Sequence, residues 1–177
     1  MVIIYLVSVI KPNFWVVSAL FFLFWGDVLL LFQDQYFVFG LGFFFLTHLF
    51  YIKASSGLLK KISVMKILLI CLPFLVYSTF LLALIYPNLN DLKLPVFAYA
   101  TIIAIFGVVS LMNYIQEKSV ENTWFLIGAI LFIISDSLIA INKFYGAKEI
   151  YGILIMITYI LAQYLICKAF IVKNKLH

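Results

Sequence analysis

The chain predicts an all-α membrane protein, a polytopic transmembrane helix bundle of six full spans preceded by a partial one. Hydrophobic residues fill 67% of the 177 positions and charged residues only 11%, whereas soluble domains hold roughly 45 to 50% apolar residues. Mean hydropathy is +1.20. Apolar runs of the length needed to cross a bilayer, about 20 residues, recur between short polar segments. Residues 1–177 accordingly read as a single transmembrane helical domain.

The stretch 2–10 is apolar but too short to span, and it has neither the positive n-region nor the small-residue cleavage site of a secretory signal. It reads as the tail of a membrane helix whose beginning is missing. After Lys11-Pro12-Asn13 the first full span covers 14–32 and contains Asp27; the polar turn Gln33-Asp34-Gln35 ends it. The second span, 36–52, holds Gly40 and Gly42, small residues suited to close helix packing, followed by Thr47, His48 and Tyr51. Ser55-Ser56-Gly57 breaks the loop 53–61. The third span, 64–85, tolerates Pro73 because neighbouring groups re-satisfy the freed carbonyl. A turn cluster at 86–91 leads to the fourth span, 94–115, and the short charged loop 116–122 to the fifth, 124–144. The connector 142–149 joins it to the sixth, 150–172.

A net charge of +5 would point to nucleic acid in a soluble protein, but these lysines sit between apolar runs, where they set topology. Nucleic-acid binding is set aside on that ground. With alternating spans, Lys11, Lys53, Lys60, Lys61, Lys66, Lys118, Lys168, Lys173 and Lys175 share one face, against Lys93, Lys143 and Lys148 on the other. The bias makes the first face, with the C-terminus, cytoplasmic. Cys71 and Cys167 lie in apolar runs far from any Cys-x-x-Cys spacing and read as small buried hydrophobes. A zinc site would need several His, Cys or carboxylate ligands, and one of the two histidines is the terminal His177.

Two carboxylates stand inside apolar runs, Asp27 and Asp136. A charged Asp near a span centre costs on the order of 2.5 to 3.5 kcal/mol on insertion scales, so an intramembrane acid is a functional candidate. Asp27 lies five residues before the outward end of the first span and Asp136 six before Asn142, where the connector after the fifth begins. At a rise of 1.5 Å per residue both sit roughly 8 to 9 Å below the outer boundary. Two acids meeting in low dielectric cannot both ionise cheaply, so together they supply an acid and a base. Three readings remain open: hydrolysis, a proton relay in a coupled transporter of small molecules or lipids, and non-catalytic acids that orient the bundle through hydrogen bonds. Against the transporter, no internal repeat with broken helices in both halves is visible.

Substrate-binding candidates flank the acids. His48 and Tyr51, at i and i+3, share a helix face, and Tyr159 and Gln163, at i and i+4, form a polar stripe. Asn142 and Lys143 stand at the outer rim, where an ammonium can meet a phosphate. His48 falls nearer the cytoplasmic side than the acids. Phenylalanines through 37–50 offer an acyl-chain path.

Four blocks in order, Trp-Gly-Asp-Val-Leu-Leu-Leu at 25–31, Gly-Leu-Gly-Phe-Phe-Phe-Leu-Thr-His-Leu-Phe-Tyr-Ile at 40–52, the Ser-Asp-Ser block within 128–144 and Ile-Thr-Tyr-Ile-Leu-Ala-Gln-Tyr-Leu-Ile at 157–166, resemble the YhhN-like lysoplasmalogenase family of membrane proteins. The resemblance implies an eight-helix bundle with Asp27 and Asp136 as the catalytic pair, of which this chain lacks about two N-terminal helices. It implies hydrolysis of the vinyl ether bond of a lysophospholipid in the bilayer, giving a fatty aldehyde and a glycerophospho-base, without a metal or organic cofactor. The expected location is the bacterial inner membrane. The sequence leaves open which acid donates the proton and what oligomer forms.

Overall fold

The computed structural model describes residues 1–57 and 59–176, with the side chains of Gln33, Asp34 and Leu176 outside the description. Leu58, in the predicted loop 53–61, and the terminal His177 also lie outside the described residues. The described residues form α1 (Val2–Ser8), α2 (Phe14–Leu30), α3 (Gln33–Ser56), α4 (Val64–Ile85), α5 (Lys93–Gln116), α6 (Val120–Phe144) and α7 (Glu149–Leu176). Two short 3₁₀ turns, Tyr86–Asn88 and Asn90–Leu92, join α4 to α5. The result is the predicted polytopic helical bundle: five helices are long and apolar enough to cross a membrane, and Phe14–Leu30 is a shorter apolar helix of 17 residues. A helix of that length still reaches about 26 Å and falls at the lower end of the spanning range. The chain is an integral membrane protein.

Neighbours in space are α2 with α3, α3 with α5, α5 with α6, and α6 with α7, while α1 touches both α2 and α7. The helices thus surround a main core, with a smaller cluster of Phe37, Ile85, Leu89, Val96 and Phe144 beside it, and α1 bridges the first and last helices of the ring. Helix α4 stands outside on α5 and α6. It presents Leu68, Leu69, Leu72, Val76 and Phe80 outward, each more than half exposed, as a lipid-facing helix does. The core runs along the bundle axis from Phe44 and Phe132 through His48 and Phe106 to Tyr51, Phe125 and Phe170, in edge-on and stacked aromatic contacts.

Three glycines set the close approach in the α2–α3 and α6–α7 seams. A Cβ on Gly26 would stand 3.0 Å from the Phe44 ring, and one on Gly40 would stand 3.1 Å from Leu30 and 3.6 Å from the Gly26 carbonyl, so α2 and α3 touch where Asp27 begins. The expected packing role of Gly42 is corrected: a Cβ there would meet nothing within 4 Å, because it points away from α2. At Gly128 a Cβ would lie 2.8 Å from Ile166 Cγ1 and 3.1 Å from the Ala162 carbonyl oxygen and the Ile166 amide nitrogen, and backbone cannot swing aside as a side chain can. Gly128→Ala is therefore expected to destabilise the protein by roughly 1 to 3 kcal/mol, the ordinary cost of overpacking. Thermal unfolding in detergent reads it as a lower midpoint, and an unchanged midpoint removes this account of the α6–α7 seam.

Candidate active site

The site grows from three consecutive residues of α6. Successive side chains on a helix turn by about 100°, so Ser135, Asp136 and Ser137 face three different neighbours. The Ser135 hydroxyl donates to the Ile155 carbonyl of α7 at 3.2 Å. Asp136 Oδ2 accepts the phenol hydrogen of Tyr99 on α5. Ser137 Oγ accepts from the Tyr77 hydroxyl of α4 at 2.8 Å and donates to its own helix at Ile133 O, 2.6 Å away. The Ser-Asp-Ser block is thus a three-way tie that fixes the rotation of α6 and aims the carboxyl at α5.

Asp27 has a matching arrangement on the other side, where its Oδ1 accepts from the Tyr159 hydroxyl of α7. Phe44 of α3 borders the surroundings of both acids. Gly26, which precedes Asp27, packs on Phe44, and Asp136 lines a crevice together with Leu41 and Phe44. Each carboxyl has its own tyrosine rather than the other acid as hydrogen-bond partner. Between them the contacts are continuous: Tyr159 lies edge-on to Phe132 at 5.6 Å, Phe132 to His48 at 4.7 Å, and His48 to Tyr99 at 5.8 Å between ring centroids.

His48 is fully buried in this cluster, closer to the acids than its place in the span suggests. Its Nδ1 lies 2.7 Å from the Phe44 carbonyl oxygen. A carbonyl only accepts, so Nδ1 carries the hydrogen and Nε2 keeps its lone pair, which has no protein partner. Tyr51, one turn further along α3, is fully buried and stacks between Phe106 and Phe170, and its hydroxyl has no hydrogen-bond partner. The structure packs His48 against Tyr99, the partner of Asp136, and seats Tyr51 in the same aromatic core.

Three openings reach the acids. A crevice with about 50 Å³ of free space runs between α3, α5 and α6 from Phe37 and Phe144 at the rim down to Asp136. A second, of about 60 Å³, reaches Asp136 and Tyr99 from the α4 side between Phe74 and Ile103. The third is a slot of about 200 Å³ between α2 and α7, lined by Asp27, Tyr159 and Gln163. Gln163 is buried there, with neither its amide nitrogen nor its oxygen hydrogen-bonded. Lys143 stands at the mouth of the first crevice with Nζ 4.6 Å from the centre of the Phe37 ring. Asn142 faces the connector instead, its Oδ1 accepting the Lys148 backbone N–H at 3.2 Å.

Tyr99, Tyr77 and the two serines are the site residues that the sequence reading passed over. The available signal was position along the helix: Tyr99 stands six residues from the Lys93 end of α5 and Tyr77 eight from the Ile85 end of α4, the ends that the two 3₁₀ turns join. Among the described residues no group of three or more His, Cys, Asp or Glu side chains could hold a metal ion, and both cysteines are free.

Comparison with known proteins gives the chain its relatives. A family model described as the YhhN family matches residues 1–170. The chain is 35% identical over 148 residues to a protein named lysoplasmalogenase TMEM86A from Bos taurus, covering 80% of this chain and 58% of that protein. It is 31% identical over 165 residues to proteins named lysoplasmalogenase from Mycobacterium bovis and Mycobacterium tuberculosis, covering 88% of this chain and 60% of theirs. The chain thus spans about three fifths of the length of these curated relatives. No solved structure matches it.

Proposed function

Because this chain belongs to the YhhN family, we propose that it is an intramembrane hydrolase of lysoplasmalogen-type lipids, cleaving the vinyl ether to a fatty aldehyde and a glycerophospho-base. The observation that carries the reading is the pair of acids inside the bundle, each holding a tyrosine hydrogen bond. The names of the relatives support the same substrate class.

Vinyl ether hydrolysis begins with a proton delivered to the β-carbon, which leaves an oxocarbenium ion; water adds to that cation, and the hemiacetal collapses to aldehyde and free alcohol. Asp136 is assigned the proton delivery. Tyr99 holds its Oδ2, which leaves Oδ1 to carry the proton toward the crevices on either side. Asp27 is assigned the water: its carboxylate, fixed by Tyr159, borders the roomiest opening, and the unpartnered amide of Gln163 gives that water a second hydrogen-bonding group. The acyl chain lies along the α4-side crevice. Burial contributes about 0.8 kcal/mol per CH₂ before losses, so the tail dominates affinity.

The headgroup phosphate is assigned to Lys143 at the rim. Seven residues separate it from Asp136 on α6, about 10 Å along the axis, a span that a glycerophosphate and a lysine side chain bridge together. The lysine-rich end faces the cytoplasm in this proposal, and the acids face the outer leaflet. Purified protein in detergent is expected to release aldehyde from a lysoplasmalogen, and Lys143→Gln is expected to raise KM about tenfold with kcat held, as loss of one charge-assisted hydrogen bond requires. No aldehyde from the wild-type chain sinks the hydrolase reading, whereas solute flux in sealed vesicles without bond cleavage favours a transporter.

A further inference from the structure

A roomy cavity lies at the other end of the molecule. It holds about 600 Å³ between the α1–α2 connector, the end of α3 and the last turns of α7. Its polar lining comes from Lys11, Asn13, Lys173 and Asn174, and its apolar lining includes Val16 and Phe170. Lys173 is only 9% exposed. Its Nζ donates to Asn113 Oδ1 at 3.3 Å and lies 5.1 Å from the centre of the Phe125 ring. Asn113 is locked in that orientation, since its Nδ2 donates to the Val109 carbonyl at 2.9 Å. The nearest influence of opposite charge, from Glu121 and Glu117, acts from a distance, and the hydrogen-bond partner is a neutral amide.

A buried ammonium held by a neutral amide is costly unless an anion completes it. Three donors leave that nitrogen and one is used inside the protein. Lys11 borders the same cavity, and its backbone is fixed there: Asn174 Nδ2 donates to the Lys11 backbone carbonyl at 2.9 Å, pinning the α1–α2 connector to α7. Two like charges from opposite ends of the chain are thus gathered around one polar and apolar space. An anion between them would offset the charge of both.

We propose that this cavity binds a phosphate oxyanion, with Lys173 and Lys11 as its counter-ions. The ligand is the headgroup of an anionic phospholipid, whose glycerol and first methylenes lie on Val16 and Phe170, or a free phosphate compound; both present the same chemistry to the two lysines. Basic pockets between membrane helices take lipid headgroups on this principle. The site is independent of the acids and of turnover.

The test is lipid retention by native mass spectrometry on the full chain in detergent, with phosphatidylglycerol or phosphatidylcholine added, beside thermal midpoints with inorganic phosphate. Wild-type protein is expected to retain phosphatidylglycerol over phosphatidylcholine. Lys173→Gln and Lys11→Gln are each expected to weaken retention about tenfold, the loss of one charge-assisted hydrogen bond, while Lys175→Gln on the exposed last turn leaves it unchanged. A lipid preference without a phosphate shift identifies a lipid source; a phosphate shift that both variants abolish, without a lipid preference, identifies a free anion, and either supports the site. Equal retention of both lipids with no phosphate shift, or retention surviving both substitutions, overturns it. Should Lys173→Gln fail to fold, the exposed Lys11 gives the same answer.

Discussion

Asp136→Asn is expected to lower kcat for aldehyde release from a lysoplasmalogen by about 10²- to 10⁴-fold, the range lost when a positioned general acid is removed. KM is expected to move little. Asparagine has the shape of the carboxyl and its amide oxygen still accepts from Tyr99, so the tie between α5 and α6 survives. What it cannot do is give up a proton and take it back. The thermal midpoint is therefore expected to stay close to that of the wild type. Tyr99→Phe makes the complementary change, keeping the carboxyl and losing the hydroxyl that orients it, and should cost only about tenfold. An Asp136→Asn enzyme within a few-fold of wild type would leave Asp136 as a structural group, whatever the neighbouring tyrosine does.

The bundle was legible because apolar length is a direct report of bilayer thickness. Helix ends were less so. Gln33-Asp34-Gln35 reads as a turn, yet it forms the first turn of α3, and the connection from α2 shrinks to Leu31 and Phe32. Polarity marks where the membrane stops, not where backbone hydrogen bonding stops, and the two differ by about a turn at the interface. His48 illustrates a second gap. Its position in the span puts it nearer the lysine-rich end, but long side chains on a helix lean toward that helix's N-terminus, which for α3 is the end holding the acids. The imidazole consequently meets Tyr99 and Phe132. Tyr99 itself looked like any aromatic in an apolar run. Only its contact with a carboxyl on a different helix distinguishes it, and such a contact depends on the relative rotation of α5 and α6, which the Ser135 and Ser137 ties determine.

Asp27→Asn is expected to lower kcat by about 10²-fold or more, and the informative measurement is its combination with Asp136→Asn. The acids hold separate tyrosines and border separate openings, so two arrangements are physically distinct. In one, both act on a single bond: Asp136 gives the proton while Asp27 manages the water that captures the cation. Groups that serve one step are strongly non-additive, because once the cation no longer forms, its capture has nothing left to accelerate. The double variant is then expected to fall within about threefold of Asp136→Asn alone. In the other arrangement each acid serves its own site, and the losses multiply. The continuous packing from Tyr159 through Phe132 and His48 to Tyr99 holds the two carboxyls in a fixed relation, and the double variant decides between the arrangements. Multiplying losses would separate the acids and remove Asp27 from the hydrolytic step, while the assignment of proton delivery to Asp136 would stand on its own measurement.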